Sequence, residues 1–169
     1  TDQILVIKFP GPTEGMKTKI ESMRRAIKKL PLASKVTCSG AVPGEEVAMF
    51  LSNHRAHDAL KQNRLYEMLS CDPDYIDAYG LEVVAGRGFS EEYGDDVNKL
   101  VINETAARML GYVDNDDAIG EEIAVETLGE PMQVIGVVKD YHQQALNKGY
   151  TGVMLFHKDK IEWIPQRYI

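Results

Sequence analysis

Residues 72–90 read DPDYIDAYGLEVVAGRGFS, and this stretch places a short helix directly before a short strand. Asp72 and Pro73 are typical of a helix start, because aspartate caps the first turn and proline suits the first helical position. Gly80 suits the left-handed residue that ends a helix, and residues 81–85 have the apolar character of a strand. Short helices set between short strands predict a mixed α+β fold.

The same alternation extends along the chain on both sides of this stretch. Residues 100–102 predict a strand, Asn103 predicts a helix cap, and Gly111 predicts the end of that helix. Residues 123–127 and 132–139 flank the sequence Leu-Gly-Glu-Pro and predict a β-hairpin. Further predicted strands are residues 47–52, 65–71 and 153–156.

The N-terminal part predicts a strand–helix–strand (βαβ) unit. Residues 4–9 form an apolar run that stops at Pro10, and residues 35–42 form a second strand. Between them, apolar residues recur at steps of three and four, as on one face of a helix: Met16, Ile20, Met23, Ile27 and Leu30. Strands joined in this way are parallel, with a right-handed crossover. The opposite face of the helix is basic, which indicates either a solvated surface or a contact with acidic lipid or an acidic partner.

Composition excludes several classes of protein. The chain has 169 residues, of which 44% are hydrophobic and 27% charged, as in an ordinary globular domain. A net charge of −7 works against binding to phosphate backbones, so nucleic acid is excluded as a partner. No run approaches the roughly 18 apolar residues of a membrane helix. Because strand-like residues lie so close to both ends, we expect a piece of a longer protein.

Patterns for cofactors and metals are weak. The Gly-Arg-Gly sequence at residues 86–88 lacks the third glycine of a dinucleotide fingerprint, and no P-loop sequence is present, so we expect the chain itself not to bind ATP. Two histidines and an aspartate at residues 54–58 have no neighbour that completes a metal site. The acidic residues 114–117 fail the spacing of an EF-hand, and we interpret Asp117 as a turn cap. Cys38 and Cys71 predict two buried thiols, with a disulfide left open.

Asp140, Tyr141 and His142 follow the predicted strand at residues 132–139 and are the candidates for a functional site. Polar groups just past a strand end are common in α/β sites, and an Asp–His pair can orient an imidazole as a base. No serine or cysteine can be assigned to such a pair as a nucleophile. We therefore predict no catalytic residue, and we interpret the segment as a polar loop that opens a short helix at residues 143–146.

Four segments occur together in a familiar order: residues 72–90, LVINETAARMLGY at 100–112, DAIGEEI at 117–123 and VIGVVKDYHQQAL at 134–146. This set resembles the MacB-like periplasmic core domain of FtsX/MacB-family ABC transporter permeases, in the form common in Bacteroidetes. The resemblance implies a βαβ subdomain similar to efflux-pump porter domains, at residues 1–63 with the C-terminal strands. It also implies a second, mixed subdomain at residues 64–150.

The resemblance implies a non-catalytic extracytoplasmic domain, tethered at the periplasmic face of the bacterial inner membrane, without cofactor or metal. A separate ABC ATPase would drive it, and the full-length permease would be dimeric. The domain would transmit ATP-driven movement to a periplasmic protein, lipoprotein or peptide cargo, and Asp140, Tyr141 and His142 would be candidates for contact with that partner. The alternative is a soluble or tethered periplasmic binding domain for a small ligand or peptide, which a deep apolar pocket would favour.

Overall fold

The computed structural model describes residues 3–11, 14–161 and 166–169, and strands dominate this described part of the chain. The helices are α1 (Met16–Ile27), α2 (Tyr75–Ala78) and α3 (Glu104–Met109). The strands are β1 (Phe50–Arg55), β2 (Arg64–Cys71), β3 (Val83–Gly86), β4 (Lys99–Asn103), β5 (Glu122–Val125), β6 (Met132–Val138) and β7 (Val153–His157). The predicted mixed class of helices and strands is confirmed, as are the β5–β6 hairpin and the Asn103 cap, whose side chain accepts a hydrogen bond from Ala106 N.

Within the described residues, no helix combines the length and the apolar character that crossing a membrane requires.

The seven strands form one sheet that closes on itself. Their order is β3-β6-β4-β7-β2-β1-β5, and β5 also pairs with β6, so six strands complete a ring. Strand β6 makes this closure possible because two strands, β5 and β3, pair with different parts of the same edge of β6. Its first residues pair with β5 (Ile123 opposite Met132) and its last residues pair with β3 (Gly86 opposite Gly136). The result is a small barrel with few exposed strand edges.

The interior of the barrel is filled by large side chains. Alternate residues of the strands point inward, and those that form the inner core are at most 4% exposed: Tyr66, Met68, Leu100, Ile102, Ile123, Val125, Met132, Val134, Met154 and Phe156. Asn53 is the polar member of this interior, and its amide lies 3.3 Å from the sulfur of Met68 and 3.2 Å from that of Met154. Burying each such apolar side chain contributes about 1.5–3 kcal/mol to stability.

A second core covers the outer face of β2, β4, β6 and β7. Strand residues such as Leu69, Val101 and Leu155 pack here against Tyr75 and Ile76 of α2. The segment that follows residue 40 adds Ala41 and Val47, and the turn after β3 adds Phe89. One sheet thus has apolar layers on both faces, so the strands are held from inside and outside.

Helix α1 is attached to this body largely by charged groups. Met16 and Ile20 bury a small apolar patch against Cys38. The buried Arg24 places Nε 2.9 Å from Asp72 Oδ2 and donates from Nη2 to Asp74 Oδ2 at 2.7 Å. Part of the basic face predicted for this helix is therefore turned inward, towards carboxylates at the end of β2 and the start of α2.

The segments predicted as strands on either side of α1 do not form continuous strands, although both pair antiparallel with Tyr168 and so run parallel to each other, as predicted. Among the described residues, residues 7–9 pair with residues 167–169, and the side chains of residues 4–6 are exposed. Residues 35–42 are mostly buried, but the N–H of Cys38 donates to the carboxylate of Asp72, and only Ser39 forms isolated bridges. The division at residues 63 and 64 stays a prediction, since strands from both parts belong to one sheet.

Both cysteines are free and completely buried. Ser39 pairs with Cys71 in an antiparallel bridge, which places Cys38 opposite Asp72. Because side chains alternate along an extended segment, the side chains of Cys38 and Cys71 point to opposite faces. Burial raises the pKa of the Cys38 thiol to about 12 and that of Cys71 well above its ordinary value. Both thiols are therefore poor nucleophiles at neutral pH.

Candidate partner-contact site

The three candidate residues lie at the start of the loop between β6 and β7, here called loop 140–150. The side chain of Asp140 is turned towards α3. It accepts hydrogen bonds from the backbone N–H of Thr105 and from Thr105 Oγ1, both at 2.8 Å, and from Arg108 Nη2 at 2.7 Å. The N–H of Asp140 in turn donates to Glu104 Oε2 at 3.0 Å. Asp140 therefore fastens the loop to the first turns of α3.

Tyr141 points into the second core rather than to the surface. It packs beside the residues that cover the outer face of the sheet, close to Tyr75. Burial, which disfavours the charged phenolate, raises the pKa of both Tyr141 and Tyr75. Tyr141 thus anchors the loop to the second core, while part of its side chain stays exposed.

His142 is partly exposed, as are Asp140 and Tyr141. Its ring stacks on that of Tyr150, with centroids 4.7 Å apart and planes tilted by 36°. Its backbone carbonyl accepts a hydrogen bond from the N–H of Gly44 at 3.0 Å. The structure does not bring Asp140 to the His142 ring, since the carboxylate is engaged by α3.

Two neighbouring glutamines hold the loop in place, and sequence reasoning missed both. The nearly inaccessible Gln143 donates from Nε2 to the carbonyls of Val42 at 2.9 Å and Glu45 at 3.0 Å, while Gln144 donates to Glu67 Oε1. The helix predicted at residues 143–146 is wrong. Because Gly44 N–H is within hydrogen-bonding distance of both His142 O and Gln143 O, the segment bonds to its neighbour instead of coiling. Two adjacent glutamines after a strand were the sequence signal that could have indicated these contacts. The residues to which they bond lie 77 to 101 positions away in the sequence, so the sequence does not reveal them.

Four apolar side chains are exposed on the β1–β2 pair and on this loop: Phe50, Leu65, Leu146 and Tyr150. Ser52 lies opposite Leu65 and Phe50 opposite Glu67, so Phe50 and Leu65 share the outer face of the β1–β2 pair. Gln144 reaches Glu67 on that same face, which brings the loop beside them. We call these four residues, together with His142, the apolar contact surface.

The histidines and acidic residues that the sequence analysis considered as metal ligands contact other side chains or backbone groups of the chain. His57 Nε2 lies 3.1 Å from Glu122 Oε2, and Asp58 accepts from Leu60 N–H. Asp114 and Asp117 form a reciprocal cap on a short 3₁₀ turn. Asp117 therefore caps the turn as predicted, but it does so together with Asp114. In the part of the chain that the structure describes, no three His, Cys, Asp or Glu side chains are grouped to hold a metal ion.

The family model for the MacB-like periplasmic core domain matches residues 2–167. The chain belongs to this family. It is a periplasmic domain of a MacB/FtsX-like ABC transporter permease, which is an inner-membrane protein, and the predicted resemblance is confirmed. Domains of this family are generally non-catalytic, and MacB-type permeases work with an ABC ATPase.

Solved structures with the same fold support this assignment. The MacB-like domain resembles the extracellular domain of the noncanonic ABC-type transporter YknZ from Gram-positive bacteria, with a TM-score of 0.62 and 18% identity over 97% of this chain and 80% of that one. It resembles the periplasmic region of MacB from Actinobacillus actinomycetemcomitans with a TM-score of 0.63 and 18% identity, over 96% of this chain and 69% of that one. Among curated proteins, none matches the sequence significantly.

Proposed function

We propose that this domain is a non-catalytic transmitter. It would carry the ATP-driven movement of the membrane-embedded part of the permease to a periplasmic partner, with the apolar contact surface as the place of contact. The family supplies the setting, because its members are periplasmic domains of permeases that work with an ABC ATPase. The barrel interior is filled by side chains, so we place the contact on the outer surface.

The way in which loop 140–150 is fastened carries this proposal. Asp140 joins the loop to α3, Gln143 joins it to the segment at residues 42–45, and Gln144 joins it to β2. Between these attachments and β7, Leu146 and Tyr150 remain exposed. A transmitter needs apolar groups presented on a firmly held support, and the three attachments of this loop favour such a role.

The remaining parts of the proposal concern the intact permease. We infer that it is dimeric at full length and that its cargo is a periplasmic protein, a lipoprotein or a peptide. Of the three residues predicted to contact it, His142 is the one we retain, while Asp140 and Tyr141 act by holding the loop. The stacked pair of His142 and the exposed Tyr150 suits such cargo because aromatic rings offer contact area at little cost in side-chain entropy.

Transmission can be tested without knowing the cargo. In the full-length permease assembled with its ATPase, Leu146→Cys carries a spin label, and pulsed EPR measures distances between the two copies. We expect the distance distribution to shift between the nucleotide-free and ATP-bound states, and an ATPase that cannot bind ATP is the control. Buried Cys38 and Cys71 should remain unlabelled. Identical distributions in both states would overturn transmission, and a missing dipolar signal would overturn the dimer.

Contact at the apolar surface is tested by truncating its aromatic residue. Tyr150→Ala removes a 51% exposed ring, and we expect the transport activity of the full-length permease in cells to fall about tenfold, as for a central interface residue. The matched control is Tyr93→Ala, which removes a 53% exposed ring that stacks on Arg87 instead. Equal activity of the two variants would contradict contact at this surface.

A further inference from the structure

The turn that follows α1 presents two leucines to solvent. Leu30 is 56% exposed and Leu32 is 99% exposed, so Leu32 has almost no contact with the rest of the chain. A fully exposed leucine at a convex turn contributes nothing to the core of the domain. Exposed apolar side chains that occur together can mark a contact with a membrane or a protein.

The same region is basic in an otherwise acidic chain. Residues 14–35 contain seven basic and two acidic side chains, although the whole chain carries a net charge of −7. Some of these cations are used internally: Lys28 pairs with Asp74 at 2.6 Å and Lys35 with Asp77 at 2.9 Å. Arg25 and Lys29 are exposed, and neither forms an ion pair with another described residue.

A second group of exposed apolar residues lies at the same end of the domain. Tyr168 bridges both Lys8 and Ser39 in antiparallel fashion, so the segments around Lys8 and Ser39 run parallel on either side of it. The residues that come before Lys8 and before Ser39 therefore extend from these bridges in the same direction. Ile4, Leu5 and Val6 are all exposed. Five apolar side chains and several cations therefore share one end of the molecule.

We propose that this end contacts a lipid surface that carries negative charge. We call it the basic tip, and it consists of residues 4–6 and 28–32 with Arg25. Leucines ringed by Lys and Arg are typical of segments that insert into the interface of an anionic bilayer, because the apolar groups enter it while the cations meet the headgroups. A fluid surface also accepts a convex turn, which a rigid protein surface does only with a matching pocket. The family setting in an inner-membrane protein supplies such a surface.

The experiment places a probe on the most exposed leucine. Leu32→Cys is labelled with an environment-sensitive fluorophore, and the 169-residue chain is mixed with vesicles of phosphatidylcholine alone or of phosphatidylcholine with phosphatidylglycerol. Cys38 and Cys71 are completely buried and should not react. We expect a blue shift with the anionic vesicles and none with the neutral ones. Val113→Cys, at a 91% exposed valine after α3, is the matched control and should not shift.

Charge is tested in the same assay. Arg25→Gln with Lys29→Gln should weaken binding to anionic vesicles by about 25-fold, since each of the two cations near such a surface contributes on the order of fivefold. Lys61→Gln with Arg64→Gln removes two exposed cations at and just before the start of β2 and should leave binding unchanged. No shift at position 32, an equal shift at position 113, or an equal response to neutral vesicles overturns the proposal. No shift with either vesicle would favour an acidic protein surface instead. None of these results bears on the Leu146 and Tyr150 experiments, which probe another surface.

Discussion

Two buried aspartates show how local surroundings decide the behaviour of the same side chain. Asp72 is completely buried, and this burial raises its pKa in spite of hydrogen bonds from Thr37 and Cys38 and the nearby Arg24. For Asp96, hydrogen bonds from Arg87 at 2.8 Å to each carboxylate oxygen outweigh the cost of burial, and its pKa is lowered. The bidentate arrangement makes the difference, because both oxygens meet a guanidinium that is itself partly hydrated.

The lowered pKa of Asp96 predicts a pH dependence of stability. A carboxyl whose pKa is lowered by folding stabilises the protein above its unfolded pKa of about 3.9, and this contribution is lost as the pH falls through the folded value. Asp96→Asn should therefore lower the free energy of unfolding by about 1–3 kcal/mol at pH 7 and by much less near pH 3. Urea unfolding at both pH values measures this. The control is Asp95→Asn next to it, an exposed carboxylate paired with Lys99, which should have a smaller effect. A deficit that is the same at both pH values would contradict the ion pair.

The candidate site shows what sequence can and cannot reveal about single residues. The end of the apolar run at β6 predicts that a polar loop comes next, and the structure has that loop. The direction of each side chain does not follow, because Asp140 is engaged by Thr105 and Arg108, which precede it by more than 30 residues. The stacking of His142 on Tyr150 likewise depends on how the loop returns to β7.

Among the elements, strand β6 depends on a glycine for its position. A Cβ at Gly136 would overlap the carbonyl oxygen of Arg87, where the chain after β3 crosses close to β6. Gly136→Ala should therefore lower the free energy of unfolding by about 3 kcal/mol or more, since the contact is with backbone that cannot easily move.

Gly149→Ala is the matched control, because that glycine lies in an open part of the loop and has no positive φ. It should change stability by no more than about 0.5 kcal/mol. Thermal unfolding followed by circular dichroism compares the two variants. Similar melting temperatures would show that β3 and β6 do not approach as closely as described.

Sequence patterns predicted the elements best where local signals agree with packing. β2, β4 and β7 are apolar runs that become buried strands, and α3 has both its Asn cap and the glycine that ends it. The two segments beside α1 look equally apolar, but a strand needs a continuous ladder as well as apolar side chains. The N–H of Cys38 finds its acceptor in the Asp72 carboxylate, a contact that spans 34 residues and leaves no local signal.

In the whole molecule, the two proposed surfaces lie towards opposite ends of β2. Leu65 and the apolar contact surface lie near its start, and Cys71 at its end bridges Ser39 beside the segment that leads back to the basic tip. Six residues of extended strand span about 20 Å between Leu65 and Cys71. Because β2 pairs with both β1 and β7, a force that displaces one end of β2 must move the whole barrel rather than that strand alone. The domain can therefore act as a lever only if the barrel does not yield within itself.

Hydrogen exchange tests whether the barrel yields. Ile102→Val removes one methylene group from the barrel interior and should cost about 0.5–1.5 kcal/mol. If the barrel opens as one unit, the amides of β1 and β6 lose protection by this same amount, although they belong to the two different predicted subdomains. The exposed Val113→Ala should leave both unchanged. Loss of protection in β6 alone would mean that residues 1–63 and 64–150 open separately, and a domain that opens in this way would absorb movement instead of transmitting it.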